Sequence, residues 1–475
     1  MWTLQLKSII LSCLVVLPSI CHANDNSQAD IIDKISSQKD YSDEQVYRIY
    51  SDNTTELLRD IILPIVKESQ YDIWLRNSKY VDIQLHKEDM VKIVDFQQGI
   101  LDYEVFVEDI NEKIEQTMPS ENENENNNDI LGNLRLNDND QIGFSTDDHI
   151  SEILGDIFFN EYRNLNTIEI WLKLLQETFP DFVKLEEIGT TPQGHSLNVV
   201  HISAHNYIDN PDKKTIIITG GLHAREWISI STACYTMYEL LLNYGKDKKA
   251  TKYLDSLDFI FVPVFNPDGY DYSWTTDRLW RKNRQATSIE SCPGLDIDRS
   301  FGFQWAKSHE FPCSESYNGE VPFEAQEAQY WDIYLREIKK DYKIFGYLDL
   351  HSYSEEILYP YGYSCDALPR DIENLLELAF GLAKAIRLTT KKNYDVIAAC
   401  KDSGSDLTPG IGGGTALDYM YHNRARWALQ LKLRDSGNHG FLLPSKYIKP
   451  VGRETYASLM LSLIHISEPT RRSYI

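Results

Sequence analysis

The stretch Thr215-Ile216-Ile217-Ile218-Thr219-Gly220-Gly221-Leu222-His223-Ala224-Arg225-Glu226-Trp227 decides how this chain folds. Its apolar run is short and continuous, the pattern of a strand buried on both faces rather than one. Gly220-Gly221 ends the strand, and the residues from Trp227 to Asn243 read as a helix. His223 and Glu226 therefore lie between a strand end and a helix, where open α/β sheets gather their sites. Phe259-Ile260-Phe261-Val262 and Lys343-Ile344-Phe345-Gly346-Tyr347-Leu348 are further strands. The second leads straight into His351, within Leu348-Asp349-Leu350-His351-Ser352-Tyr353.

Two imidazoles and one carboxylate, with a coordination position left to water, form the donor set of a hydrolytic zinc site. His-x-x-Glu alone is weak in a chain with 12 histidines, since about one such pair is expected by chance. A third ligand at the end of a strand gives the pair its weight. Imidazole and carboxylate donors suit one Zn²⁺ ion. Ligating histidines need partners for their outer nitrogens, and Asp296, Asp349 and Asp435 are the candidates.

The α/β pattern runs from about Ile150 to Leu463, with a last helix from about Glu454 to Leu463. Residues 24–113 form a smaller α+β unit. Gln45–Tyr50, Val81–Leu85 and Tyr103–Val107 alternate like strands, and Thr54–Lys67 reads as a helix. Residues 114–149 are a Glu/Asn-rich linker with too little apolar surface to offset chain entropy, and are expected to be disordered. Arg135 is the only Lys or Arg between Lys113 and Arg163, and is either a processing site or part of an uncut spacer.

Residues 1–23 read as a secretory signal: Lys7, the apolar run Ile9–Leu17, then Cys21-His22-Ala23. The run is too short for a transmembrane helix and no second span follows. The expected destination is secretion or the vacuole. A net charge of −25 over 475 residues argues against nucleic acid or an anionic membrane surface as partner. Cys13 and Cys21 would leave with the signal, and Cys234 is expected as a buried free thiol. Cys292, Cys313, Cys365 and Cys400 remain, an even number that allows three connectivities. Asn53-Thr54-Thr55 is a glycosylation sequon.

Further motifs carry a family resemblance: Pro263-Val264-Phe265-Asn266-Pro267-Asp268-Gly269-Tyr270, Arg278-Leu279-Trp280-Arg281-Lys282-Asn283-Arg284, and Leu433-Arg434-Asp435-Ser436-Gly437 with Gly440-Phe441-Leu442-Leu443-Pro444. In this order and spacing, from roughly Tyr41 to Leu463, the chain resembles the A/B-type zinc metallocarboxypeptidases (funnelins). The resemblance implies a mixed sheet flanked by helices, a monomer, and His223, Glu226 and His351 as zinc ligands. It makes the N-terminal unit a pro-domain over the active-site funnel; an independent binding module is the other possibility. Arg281 matches the oxyanion-stabilising arginine, and Arg278 would line the path to the site. Asp298 and Arg299 match the pair that holds a substrate's terminal carboxylate. Ser352, Tyr353 and Leu417 would line the substrate pocket, and Leu417 with Gly362 would make it apolar. The resemblance also implies a Cys292–Cys313 disulfide, leaving Cys365 with Cys400. The basic tail within 464–475 has no counterpart in the family.

Three positions depart from the family pattern. Lys432, in Leu429-Gln430-Leu431-Lys432-Leu433, stands where the chemistry needs a carboxylate. It shares a strand face with Ala428 and Gln430. A protonated lysine has only donors, and losing a general base costs on the order of 10²–10⁴ in rate. Asp298 replaces an amide with an acceptor-only anion, and the substrate-capping tyrosine is missing from Thr408-Pro409-Gly410-Ile411. Tyr394 could replace it only across a long gap.

The departures make the chain most similar to the fungal, cell-wall-associated branch considered inactive, which implies a role in cell-wall organisation. The expected remaining function is to bind a C-terminal peptide, a protein or a wall component. The opposite charge changes at 298 and 432 predict an Asp298–Lys432 ion pair filling the place of the substrate's terminus. Two rivals stand: a working carboxypeptidase releasing hydrophobic C-terminal residues through zinc-bound hydroxide or a neutral Lys432, and a structural protein without metal.

Overall fold

The computed structural model describes residues 38–66, 71–119, 155–204, 213–307, 311–401, 413–423 and 425–467. The signal segment, most of the linker with Arg135, the 408–411 segment and residues 468–475 lie outside the described residues.

The larger unit is built on an eight-stranded mixed sheet. Its strands are β5 (Val183–Thr190), β6 (Ser196–Ile202), β7 (Lys214–Gly220), β8 (Leu257–Val262), β9 (Lys343–Ser352), β10 (Glu356–Tyr359), β11 (Asp395–Ala398) and β12 (Trp427–Leu433), in the order β11-β10-β12-β9-β7-β8-β6-β5. The four central strands β12, β9, β7 and β8 run parallel. Thr215 to Gly220 are all buried, as the uninterrupted apolar run requires. Helix Ile448–Ser467 packs against both Trp227–Leu242 and Ile372–Thr390 beside this sheet.

The last helix starts at Ile448, not near Glu454. Pro450 lies in the first turn of this helix, where a proline sacrifices no hydrogen bond. Gly452 admits the close approach of Tyr235, whose ring a Cβ there would meet at 2.4 Å.

The N-terminal unit is an antiparallel four-stranded sheet of order β2-β3-β1-β4, formed by β1 (Glu44–Tyr50), β2 (Tyr71–Arg76), β3 (Tyr80–His86) and β4 (Tyr103–Val107). It has its own core, including Tyr47, Ile49, Leu58, Ile83, Leu85 and Ile93. The helix expected over Thr54–Lys67 is shorter and wider. One α-turn, Thr54–Glu56, continues as a π-helix over Leu57–Ile62, which buries Leu57, Leu58 and Ile62. Asn53 is exposed, accepts the Glu56 N–H as helix cap, and donates its own amide to Glu56 Oε2 at 3.1 Å.

Helix Ile110–Glu115 spans Lys113 and ends at Gln116, and Thr117 after it is buried. A separate cluster joins the two units: Tyr41, Val46, Trp74, Leu75 and Val107 pack with Leu279, Tyr353, Phe441 and Leu442.

Among the described residues Cys292–Cys313 and Cys365–Cys400 form disulfides, and Cys234 is a buried free thiol. Among the described residues no helix is long and apolar enough to cross a membrane.

Candidate metal centre

The turn after β7 is held by the motif that follows β8. Asn266 caps helix Pro267–Thr275 through the Gly269 N–H, and its amide donates to Leu222 O at 3.2 Å and Lys282 O at 3.1 Å. Gly269 is required there, since a Cβ would meet Lys282 O at 2.5 Å. Asp268 accepts the Gln193 N–H at 3.0 Å and lies 2.8 Å from His195 Nδ1, tying in the β5–β6 turn. This motif positions the site without entering it.

His223, Glu226 and His351 are all buried, and their ligating atoms lie within 4.8 Å of one another. Glu226 Oε1 is 2.8 Å from His223 Nδ1, and Oε2 is 3.0 Å from His351 Nδ1. Burial opposes ionisation of Glu226, but the two imidazoles outweigh it and hold its pKa well below the usual range. The Ser352 N–H also donates to Glu226 Oε2 at 3.0 Å.

The outer nitrogens face other carboxylates. His223 Nε2 is 3.1 Å from Asp296 Oδ1, and His351 Nε2 is 3.2 Å from Asp349 Oδ2. Thr219 Oγ1 donates to Asp349 Oδ1 at 2.6 Å and steadies it. Two Nδ1 atoms and a carboxylate thus converge, with the His223 ring hydrogen-bonded from behind by Asp296 and the Asp349 carboxylate 3.2 Å behind His351 without a hydrogen bond to it, a donor set that suits zinc. The residues present fit the ion.

The structure selects Asp296 and Asp349 from the three sequence candidates. Asp435 instead accepts the N–H groups of Gly437, Asn438, His439 and Gly440, closing its own loop. Asp296 has a second task the sequence did not reveal: its Oδ2 accepts Arg281 Nη2 at 2.7 Å. Arg281 Nη1 is 3.4 Å from His223 Nδ1, so this guanidinium stands beside the ligand set.

Lys432 is buried on β12, in register with His351 on the parallel neighbour β9. Residues paired across adjacent strands leave the sheet on the same face. The lysine therefore sits directly beside a metal ligand.

Other expectations are corrected. The Asp298–Lys432 ion pair is not formed: Asp298 Oδ1 accepts the backbone N–H of Ala416 at 2.8 Å. Burial raises the Asp298 pKa against the opposing charges of His351 and Arg299, and the Ala416 N–H takes the place expected of Lys432. Arg278 does not line the path. It is fully buried against Trp227, with donors on Thr117 Oγ1, Arg225 O and Phe441 O, and burial lowers its pKa to about 9.

Arg299 is partly exposed on the turn Ile297–Arg299, next to Asp298. Leu417 lies in the main core. Its neighbour Asp418 holds the Gly362 and Tyr363 N–H groups, and burial raises its pKa to about 6. Ser352 acts through its backbone, and Tyr353 is buried beneath the N-terminal unit. Tyr394 cannot serve as a cap, because it is buried with its hydroxyl on Glu454.

A profile of the zinc carboxypeptidases (peptidase M14) matches residues 168–458. The chain belongs to the zinc carboxypeptidase family. It is 55% identical over 422 residues to the inactive metallocarboxypeptidase ECM14 of Saccharomyces cerevisiae, covering 89% of this chain and 91% of that protein. The inactive metallocarboxypeptidase ECM14 of Blastomyces gilchristii is 38% identical over 445 residues, covering 90% of this chain and 72% of that protein. Thrombin activatable fibrinolysis inhibitor superposes with a TM-score of 0.73 at 26% identity, covering 90% of this chain and all of that one. Carboxypeptidase A of Helicoverpa armigera superposes with a TM-score of 0.71 at 23% identity, covering 91% and 99%, which shows the shared fold.

Proposed function

We propose that this family member binds one Zn²⁺ ion through His223, Glu226 and His351 and does not hydrolyse peptides. The observation that carries this is Lys432 beside His351 in the strand register. A metal-bound water needs a neighbouring acceptor for its proton, and an ammonium has none to offer. The inactivity stated in the names of the fungal relatives supports the same reading.

The protein acts by binding: a C-terminal peptide, a protein or a wall component held in the funnel, with Arg281 and Arg299 as carboxylate-directed donors. It works in the secretory pathway, secreted or vacuolar, with a part in cell-wall organisation, and the N-terminal unit is its pro-domain.

Metal analysis and thermal unfolding test this reading together. The chain should take up one zinc per molecule, and His351→Ala should take up almost none. Zinc at about a thousand times its dissociation constant should stabilise the fold by about 4 kcal/mol, an effect absent in His351→Ala. A chain that binds no zinc, or zinc that leaves His351→Ala equally stabilised, contradicts the assignment.

A further inference from the structure

Both metal-ligand segments are gripped from outside by carboxylates of the N-terminal sheet. Arg225 stands between the ligands His223 and Glu226. Its buried guanidinium bonds Asp72 of β2 through Nη1, and Nη2 lies 3.4 Å from Asp72 Oδ1. The same group donates to Leu279 O at 3.3 Å and lies over the Phe441 ring at 4.2 Å.

On the other side, Tyr353 is two residues past the ligand His351. Its hydroxyl donates to Asp82 Oδ2 of β3 at 2.8 Å, and Asp82 is fixed by Arg48 Nε at 2.6 Å and Nη2 at 2.7 Å. Ser352, between them, donates its N–H to Glu226. Aromatic packing seals the contact: Phe441 lies 5.4 Å from Trp74 and 5.0 Å from Tyr353, centroid to centroid. Gly440, at φ 57°, leaves room for Trp74, whose ring a Cβ would meet at 2.9 Å.

Metal ligands must be held to within roughly 0.5 Å, so the groups behind them govern retention. Losing a partner that orients a ligand typically costs 10–100-fold in affinity. Asp72 and Asp82 act one residue further out, through side chains adjacent in sequence or nearly so to the ligands. Without Asp72 the buried Arg225 loses its carboxylate partner on the N-terminal sheet and keeps only Leu279 O, the Phe441 ring and the charge of Glu315, which loosens the main chain between His223 and Glu226.

We propose that the docked N-terminal unit is part of the metal-holding apparatus, with Asp72 and Asp82 as positioning residues for the segments 223–226 and 351–353. Metal retention and domain docking are then coupled, and each strengthens the other. The proposal rests on the zinc-binding reading above.

The test is the rate at which the full-length, zinc-loaded chain gives up zinc to a chromogenic chelator, measured well below the unfolding midpoint. Asp72→Asn removes the charge without changing size, and Tyr353→Phe removes one hydroxyl without disturbing the packing. Asp60→Asn, in the exposed Arg59–Asp60 pair of the same unit, is the control. The expected result is release faster by roughly tenfold in Asp72→Asn, a smaller acceleration in Tyr353→Phe, and no change in Asp60→Asn. Asp72→Glu should recover part of the loss. Zinc release at the unmodified rate from both Asp72→Asn and Tyr353→Phe overturns the coupling but leaves the zinc-binding reading intact. An equal acceleration in Asp60→Asn also overturns it, since general destabilisation would then explain the rates. An unmodified chain that takes up no zinc overturns both.

Discussion

Glu327 carries a charge conflict outside the metal centre. It is fully buried, one oxygen accepts Asn283 Nδ2 at 2.8 Å, and the other has no partner. Burial pushes its pKa up from 4.5 to about 7. The folded state thus binds a proton that the unfolded chain has already released, so the contribution of Glu327 to stability is fully present below about pH 4.5 and is lost as pH rises through about 7. The cost at higher pH is about 3 kcal/mol. Glu327→Gln should flatten this part of the pH–stability curve and raise the unfolding midpoint at pH 8, measured by thermal unfolding from pH 5 to 8. At the same scale, the ligands were legible because a strand end and a helix start fix their spacing. The Asp298 contact was not, because a charge count cannot foresee that a backbone N–H from a distant helix reaches the carboxylate.

Among elements, strand β9 carries the site and owes its closeness to β12 to a glycine. Gly346 pairs with Trp427, whose ring a Cβ on Gly346 would meet at 2.2 Å. Gly346→Ala should therefore overpack the junction and cost about 1–3 kcal/mol, read as a lower midpoint in denaturant unfolding with an unchanged slope. A shift of that size is expected without loss of the fold, since the strand is paired on both sides and buried from Gly346 to Ser352.

The central strands were legible as unbroken apolar runs. Strand β2 was not, because Tyr71-Asp72-Ile73-Trp74-Leu75-Arg76 keeps no period of two: Ile73 to Arg76 are buried in succession, some against the N-terminal core and some against the larger unit. The π-helical Leu57–Ile62 was hidden for a related reason, since a width of turn leaves no mark on a short apolar pattern.

For the whole molecule, the two units are laced together at both ends of the smaller one. At its start, Gln38 Nε2 donates to Trp274 O at 2.7 Å and Lys39 N to Thr276 O at 2.7 Å, while Tyr41 bonds Asp277. At its end, Thr117 receives Arg278. These contacts join residues far apart in sequence, so composition and periodicity could separate the units but not show how they meet. They also explain why Arg278 resembles a site residue yet serves as a joint.

The central claim is that this scaffold keeps the metal ligands and has lost the proton acceptor beside them. Its most direct test is release of C-terminal residues from peptides with apolar and basic ends by zinc-loaded protein cut in the linker, with Lys432→Ala alongside. The account predicts zinc bound and peptides recovered intact with either protein. Zinc-dependent release that Lys432→Ala abolishes would contradict it and make Lys432 a catalytic group.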